Sequence, residues 1–287
     1  MQSNIPHFSK IFKVSFFDFH KVQFQAIGLL IAIVTNFVFN LIAGKTGATT
    51  LTGQIINTVG SVLTVIVVLL TASGVSRMIK ADLLNESPVS NKEAIEYLKQ
   101  NAWAIIITPF LLVLSAALIV GLEALLSLTG FIPVLGPILL ALFTIPAVIV
   151  NVVLAIILIV GSKLIPSIVA IEETNIIDTL KLTYQTCKDE PLKVAFYAGM
   201  LSLVGIGIFI LPFLVFLTGL LITGAFHWSV LTGCFNNIMY SWGVVPLIFV
   251  FITGLSVLIM GSLVVSLALT YFQGVYTYIY LSFKNKF

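Results

Sequence analysis

The chain has 287 residues, of which 59% are hydrophobic and only 9% are charged, and its mean hydropathy is +1.15. A soluble domain of this size cannot bury so much apolar surface, so the composition excludes a soluble protein and predicts an integral membrane protein. The net charge of +3 includes no dense cluster of Lys and Arg, so nucleic acid is not an expected partner.

Six apolar runs are each long enough to cross a hydrocarbon layer of about 30 Å as a helix. Strands of a membrane barrel are excluded because runs such as VLTVIVVLL do not alternate polar and apolar residues. The sequence therefore predicts an all-α polytopic membrane bundle, formed by one domain over residues 1–287. Its spans are expected at about 24–43, 54–76, 102–128, 138–162, 194–221 and 244–270.

The basic residues predict the orientation of these spans, because Lys and Arg near span ends stay on the cytoplasmic side. With the N-terminus inside, Lys45 is the one basic residue of the fourteen that falls on the outer side. Losing one span would scatter the basic residues over both faces. We therefore expect six spans with both termini cytoplasmic, in a bacterial inner membrane.

A cytoplasmic segment at 77–101 follows the second span. Ser90 and Glu93 have the spacing of a capping box, which predicts the start of a short polar helix. One helical stripe is expected to hold its apolar residues, Ile95, Leu98 and Ala102.

A second cytoplasmic segment at 163–193 follows the fourth span and looks like a copy of the first. Pro166 predicts a kink or the end of that span. Thr174 or Asn175 can cap a short helix, and Asp178 places negative charge in its first turn. The apolar stripe is expected at Ile177, Leu180, Tyr184 and Cys187.

Both segments predict amphipathic helices, and two placements remain open. The helices can lie at the inner headgroup level with their apolar stripes toward the membrane, or they can pack on the cytoplasmic ends of the spans. In the first case they form a face that binds anionic lipid or a partner. Its cations are Lys92, Lys99, Lys181 and Lys188.

The second segment also resembles a known family. The order of an apolar span, IPSIVAIEE and then NIIDTLKLTYQTCKDEPLKV is similar to bacterial six-span proteins related to the membrane domain of glycerophosphoryl diester phosphodiesterases. The resemblance implies a fold and a location. The hydrolase activity of fused members belongs to a separate soluble domain with a His-Arg motif, and the only arginine here is Arg77. The matching positions are Pro166, Glu172, Asp178, Leu180, Lys181 and Thr183.

Catalytic and metal-binding patterns are weak in this sequence. His7, His20 and His227 have no neighbouring ligand residues at metal spacing, so we expect no metal and no cofactor. His227 is the candidate among them, because a couple with Cys234 can be drawn at the outer face. An aromatic belt explains the same stretch without chemistry. Cys187 and Cys234 are expected on opposite sides of the membrane, unpaired with each other.

Glu123 is the acid expected inside a span, near its outer boundary. An acid in a membrane is a candidate for a substrate or ion pathway, and the alternative is snorkelling to the surface, toward Lys45. Asn151 and two other intramembrane asparagines are expected to form interhelical hydrogen bonds.

These patterns predict a non-enzymatic membrane protein, either a scaffold or a subunit that binds lipid or a partner. The expected partners are membrane lipids, another membrane protein or a second copy of the chain. The alternative is a transporter or permease for a lipid or a small amphiphilic solute. A membrane enzyme ranks third, since it needs His227 or Cys234 to line a closed pocket.

Overall fold

The computed structural model of the protein describes residues 8–16, 18–128, 135–238 and 245–284, and it describes the backbone only for residues 8, 9, 12, 16, 135–141, 208, 222–238 and 245–250. These residues are almost entirely helical, and no strand occurs among them, as the sequence predicts. In chain order the elements are α1 (Phe8–Phe16), α2 (Phe19–Thr46), α3 (Leu51–Leu84), α4 (Asn91–Ser127), α5 (Leu135–Ile156), a π-helical turn (Ile157–Gly161), α6 (Ser162–Glu172), α7 (Ile176–Asp189), α8 (Pro191–Ile238) and α9 (Val245–Lys284).

Six helical segments among the described residues are long and apolar enough to cross a membrane. The protein is therefore a multi-pass membrane protein with an all-α helical bundle, which confirms the predicted fold class. The segments are Phe19–Thr46, Leu51–Leu84, Asn91–Ser127, Leu142–Glu172, Pro191–Leu221 and Phe251–Lys284.

The chain divides into two compact units. Unit 1 holds the described residues of Met1–Val14, Leu69–Ser202 and Gln273–Phe287, and unit 2 holds those of Ser15–Val68 and Leu203–Phe272. Helices α3, α8 and α9 are each divided between the two units. All of the sites discussed below lie within unit 1.

The first of the two polar segments, at 77–101, differs from its prediction. The capping box is confirmed, since Ser90 N donates to Glu93 Oε2 at 2.7 Å and Glu93 N donates to Ser90 Oγ at 3.3 Å. The helix that begins there is not a separate short one, because α4 continues to Ser127. No Gly or Pro interrupts it before Pro109, so the polar turns and the apolar span form one helix. The second span is also longer than predicted, since α3 reaches Leu84.

The second segment does contain a separate helix, α7. Asn175 is its N-cap, as predicted, because Asp178 N donates to Asn175 Oδ1 at 2.9 Å. The preceding helix α6 runs through Pro166 to Glu172, so Pro166 does not end the span. The irregularity lies just upstream, where the π-helical turn replaces α-helical geometry.

Helix α6 forms the centre of unit 1. Every residue of Leu164–Ile171 is buried, which is the pattern of a helix enclosed on all sides. Within this unit it packs against α4 and α7, and hydrogen bonds join it to the C-terminal parts of α3 and α9.

Unit 2 contains the hairpin of α2 and the first part of α3. Gly47 follows α2 with a φ of +89°, a conformation that residues with a side chain rarely adopt. Gly60 lies against Phe39, and a Cβ added there would be 2.3 Å from Phe39 Cβ. The absence of a side chain at Gly60 therefore lets the two helices approach closely.

Candidate functional site

The C-terminal end of α6 is held by cations from α3. Arg77 Nη1 donates to Ala170 O at 3.4 Å, and Lys80 Nζ donates to Ile171 O at 3.2 Å. The last carbonyls of a helix lack donors in their own helix and carry partial negative charge. The two basic side chains therefore satisfy a helix end, which explains why α3 continues past the predicted limit of the second span.

The two acids that follow are bound as well. Lys284 Nζ lies 2.7 Å from Glu172 Oε1, and Tyr280 OH donates to the same oxygen at 2.9 Å. Arg77 Nη1 lies 2.7 Å from Glu173 Oε1. We call Arg77, Lys80, Glu172, Glu173, Tyr280 and Lys284 the α6 clamp. It joins α6 to α3 and α9, so its charges serve the fold.

Unit 1 also contains a network of buried hydroxyl groups. Ser76 Oγ lies 3.3 Å from Ser167 Oγ, which lies 3.1 Å from Thr277 Oγ1. Ser73 Oγ lies 2.9 Å from Tyr97 OH and donates to the carbonyl of Pro166 at 3.1 Å. The network links α3, α4, α6 and α9. The sequence did not lead us to predict these residues. The one pattern that indicates them is the pair of serines at helical spacing near the end of the second span.

Helix α7 buries a face that the sequence did not predict. Its buried residues are Thr179, Thr183, Thr186 and Cys187, whereas Ile177 is 63% exposed and Tyr184 is 46% exposed. Of the predicted apolar stripe, Cys187 alone is fully enclosed. The helix packs on α4, α5, α6 and the π-helical turn through its threonine face, and a placement of its open stripe at the headgroup level stays a prediction.

Threonine suits this buried face because its hydroxyl can bond within its own helix. Thr183 Oγ1 donates to Thr179 O at 2.8 Å, and Thr186 Oγ1 donates to Leu182 O at 2.7 Å. The methyl groups are then free to pack against neighbours. Gly161 of the π-helical turn allows a close approach, since a Cβ there would lie 3.0 Å from Thr183 Cγ2 and 3.6 Å from Cys187 Sγ. Burial raises the pKa of the Cys187 thiol to about 12.

The buried stripe of the first segment is also displaced from its prediction. Ala94 and Tyr97 are buried, whereas Ile95 is exposed and Leu98 is half-buried. In this segment the apolar stripe predicted from residue spacing therefore lies one residue away from the face of α4 that packs. In both segments the predicted apolar stripe remains largely open.

A groove of about 630 Å³ lies between the first turns of α7 and the polar turns of α4. We call it the α4–α7 groove. Trp103, which is 72% exposed, lies on one wall, and Lys181 lies on the other. Its remaining polar lining includes Gln100, Asn101, Asn175 and Asp178.

The four lysines predicted to face lipid are all exposed, but they do not share one surface feature. Lys181 lines the groove and lies 3.5 Å from Asp178. Lys188 lies further along α7, with its Nζ 5.6 Å from the centroid of the Tyr184 ring. Lys92 and Lys99 lie on α4 and are not among the residues that line the groove.

Glu123 has a partner that the sequence did not assign to it. Asn151 Nδ2 donates to Glu123 Oε2 at 2.7 Å, so the predicted interhelical hydrogen bond of Asn151 joins α5 to this acid of α4. A cleft of about 420 Å³ lies against the pair, with otherwise mainly apolar lining. The acid is therefore bonded to a side chain of the next helix rather than extended alone toward the surface.

The remaining candidates receive no structural support here. The side chains of His227 and Cys234 lie outside those that the structure describes, so their proposed couple stays a prediction. Among the described residues there is no group of three His, Cys, Asp or Glu placed to hold a metal ion. Cys187 is a free thiol.

Comparison with known proteins finds no protein-family model, no curated protein and no solved structure that matches this chain. The resemblance to the membrane domain of glycerophosphoryl diester phosphodiesterases therefore stays a prediction.

Proposed function

We propose that this protein is a non-enzymatic protein of a bacterial inner membrane that binds anionic lipid headgroups at its cytoplasmic face. In this proposal the lipid lies along the open side of α7 and in the α4–α7 groove. The observation that carries it is the orientation of α7, which buries threonines and leaves Ile177 and Tyr184 open beside Lys181.

The chemistry of this surface suits the headgroup level of a membrane. Trp and Tyr favour that level because their rings have an apolar body and a polar edge. Lysines near an anionic membrane surface each contribute about 1 kcal/mol of attraction. Trp103, Tyr184, Lys181 and Lys188 supply both kinds of side chain. Asp178 lies close to Lys181 and offsets part of its charge.

The α6 clamp supports assigning the lipid to α7. Arg77 and Lys284 are already paired with Glu173 and Glu172, and Lys80 is bonded to a carbonyl of α6. These cations hold the ends of helices together. The lysines of α7 are the more exposed basic groups, so they are the ones available to a headgroup.

The test is lipid retention by the purified full chain. The chain is delipidated in mild detergent, and bound phosphatidylglycerol and phosphatidylcholine are counted by native mass spectrometry. We expect a preference for phosphatidylglycerol that falls about fivefold for each lysine removed in Lys181→Gln and Lys188→Gln. Lys193→Gln is the matched control, since Lys193 is exposed but bonded to Glu190 at the start of α8.

An unchanged preference in the double lysine variant would refute lipid binding at α7. If the same variant instead lost a copurifying membrane protein, partner binding at this surface would replace the lipid. The transporter alternative stays a prediction, and the lipid proposal requires no flux of solute.

A further inference from the structure

The hydrogen bond between Glu123 and Asn151 places a carboxylate against the fourth spanning segment. Asn151 lies 16 residues after Leu135, the first residue of α5, and 21 residues before Glu172, the last residue of α6. At 1.5 Å per residue these distances are about 24 Å and about 31 Å along the helix. Glu123 lies four residues before Ser127, the last residue of α4, and Asn151 lies nine residues after Leu142, where the fourth spanning segment begins. The pair is therefore nearer to the ends of the two segments that Ser127 and Leu142 mark.

The cleft beside this pair has a polar end and apolar walls. Glu123 and Asn151 form the polar end, and the volume of about 420 Å³ lies within the range of small-molecule sites. Both residues belong to segments apolar enough to cross a membrane. An ionisable side chain in such a position marks a functional site more often than a packing contact. The apolar walls include Leu126, Phe143, Pro146 and Val150.

Two oxygens at the polar end can accept further hydrogen bonds, and the cleft is also lined by the hydroxyl groups of Thr144 and of Ser127, which donates to Ala124 O at 2.6 Å. The amide nitrogen of Asn151 is already directed at Glu123 Oε2, which leaves Glu123 Oε1 and Asn151 Oδ1 as oxygens that can accept. A carboxylate with a second acceptor oxygen beside it suits a positively charged ligand with several N–H donors.

We infer that the cleft between α4 and α5 binds a primary alkylammonium, with its –NH₃⁺ on Glu123 and Asn151 and its alkyl chain along Phe143, Pro146 and Val150. A primary ammonium has three donors, whereas a quaternary ammonium has none. An aminophospholipid carries the same ammonium together with a phosphate. Among the described residues that line the cleft there is no basic side chain to meet that phosphate, so the ligand of this proposal is an amine without a phosphate.

This inference is independent of the lipid surface at α7, because the cleft and the α4–α7 groove have no lining residue in common. Either proposal can fail while the other holds. Variants of Lys181 and Lys188 test the first, and variants of Glu123 and Asn151 test the second.

The experiment measures the binding of dodecylammonium to the delipidated full chain at pH 7 by native mass spectrometry. Dodecyltrimethylammonium has the same chain and charge without donors, and phosphatidylethanolamine is the competing aminophospholipid. We expect one saturable dodecylammonium site, binding of the trimethyl probe weaker by roughly tenfold or more, and no competition from phosphatidylethanolamine.

Two variants and a control locate the site. Glu123→Gln keeps an oxygen for the Asn151 amide and should fold, but it should weaken dodecylammonium binding by roughly tenfold or more. Asn151→Leu removes one acceptor and should weaken binding less. Asn40→Leu makes the same change in α2, where Asn40 bonds to Asn36, and should leave binding unchanged.

Three results would overturn the inference. Glu123→Gln could bind dodecylammonium as tightly as the unaltered chain does. The trimethyl probe could bind as tightly as the primary amine, which would remove the role of the donors. Phosphatidylethanolamine could displace the amine, which would make the site one for a lipid headgroup.

Discussion

The two polar segments at 77–101 and 163–193 look like copies in the sequence but are built differently in the structure. In the first, the capping box at Ser90 starts α4, which continues without a break into the membrane span. In the second, α7 is a separate helix, and the acids before it, Glu172 and Glu173, are bound by cations from α3 and α9. Similar spacing of polar and apolar residues thus occurs in both segments. They differ in their charged residues, because ion pairs to other helices hold the break between α6 and α7, whereas α4 continues unbroken.

The largest effect is expected where the buried face of α7 is changed. Thr183→Lys places an unpaired charge at a fully buried position and should destabilise unit 1 by more than about 4 kcal/mol. Ile177→Lys makes a comparable change on the open face and should stay within about 0.5 kcal/mol. Thermal unfolding in detergent measures both. Equal melting temperatures for the two variants would mean that the buried face of α7 has been assigned incorrectly.

A smaller effect separates the acids of the two segments. Glu172→Gln removes the charge that Lys284 and Tyr280 share and should cost about 2 kcal/mol, since Glu172 is only partly exposed. Glu93→Gln should cost much less, because Gln also serves at this position of a capping box. Chemical denaturation of the two variants side by side checks the order. A larger loss of stability for Glu93→Gln than for Glu172→Gln would contradict this contrast between the helix cap of α4 and the ion pairs that hold the end of α6.

The smallest change to the protein is a probe of Cys187, in a Cys234→Ser background. With a pKa of about 12, the folded thiol is ionised to only about one part in 100,000 at pH 7, so it should react with N-ethylmaleimide only after unfolding. The unfolded thiol ionises above about pH 8.5 while the buried one does not, so stability should fall as the pH rises past that value. Rapid labelling of the folded chain would show that α7 does not bury this face.

The fold class and the two helix caps could be predicted from the sequence because they depend on local rules. Six apolar runs of sufficient length specify six spanning helices, and Ser90 and Asn175 cap their helices through neighbours three residues away. Such signals need no knowledge of what surrounds the helix.

The buried faces could not be predicted in this way, for a physical reason. A membrane is as apolar as a protein core, so hydrophobic residues do not mark the interior of a bundle. In unit 1 the interior is marked by small and hydroxyl-bearing residues such as Ser76, Ser167 and Thr183, which apolar periodicity counts as polar. The pairing of Glu123 with Asn151 depends on contact between two helices, which spacing along one helix does not encode.

The π-helical turn at Ile157–Gly161 has a consequence for how the fourth spanning segment is phased. The described side chains of α5 are mostly exposed, whereas those of α6 are almost all enclosed. One residue corresponds to about 100° of rotation around an α-helix. Deleting a single residue in this turn would rotate Ser167 by that angle away from Ser76 and Thr277. The five residues of the turn therefore determine which side of α6 faces its neighbours.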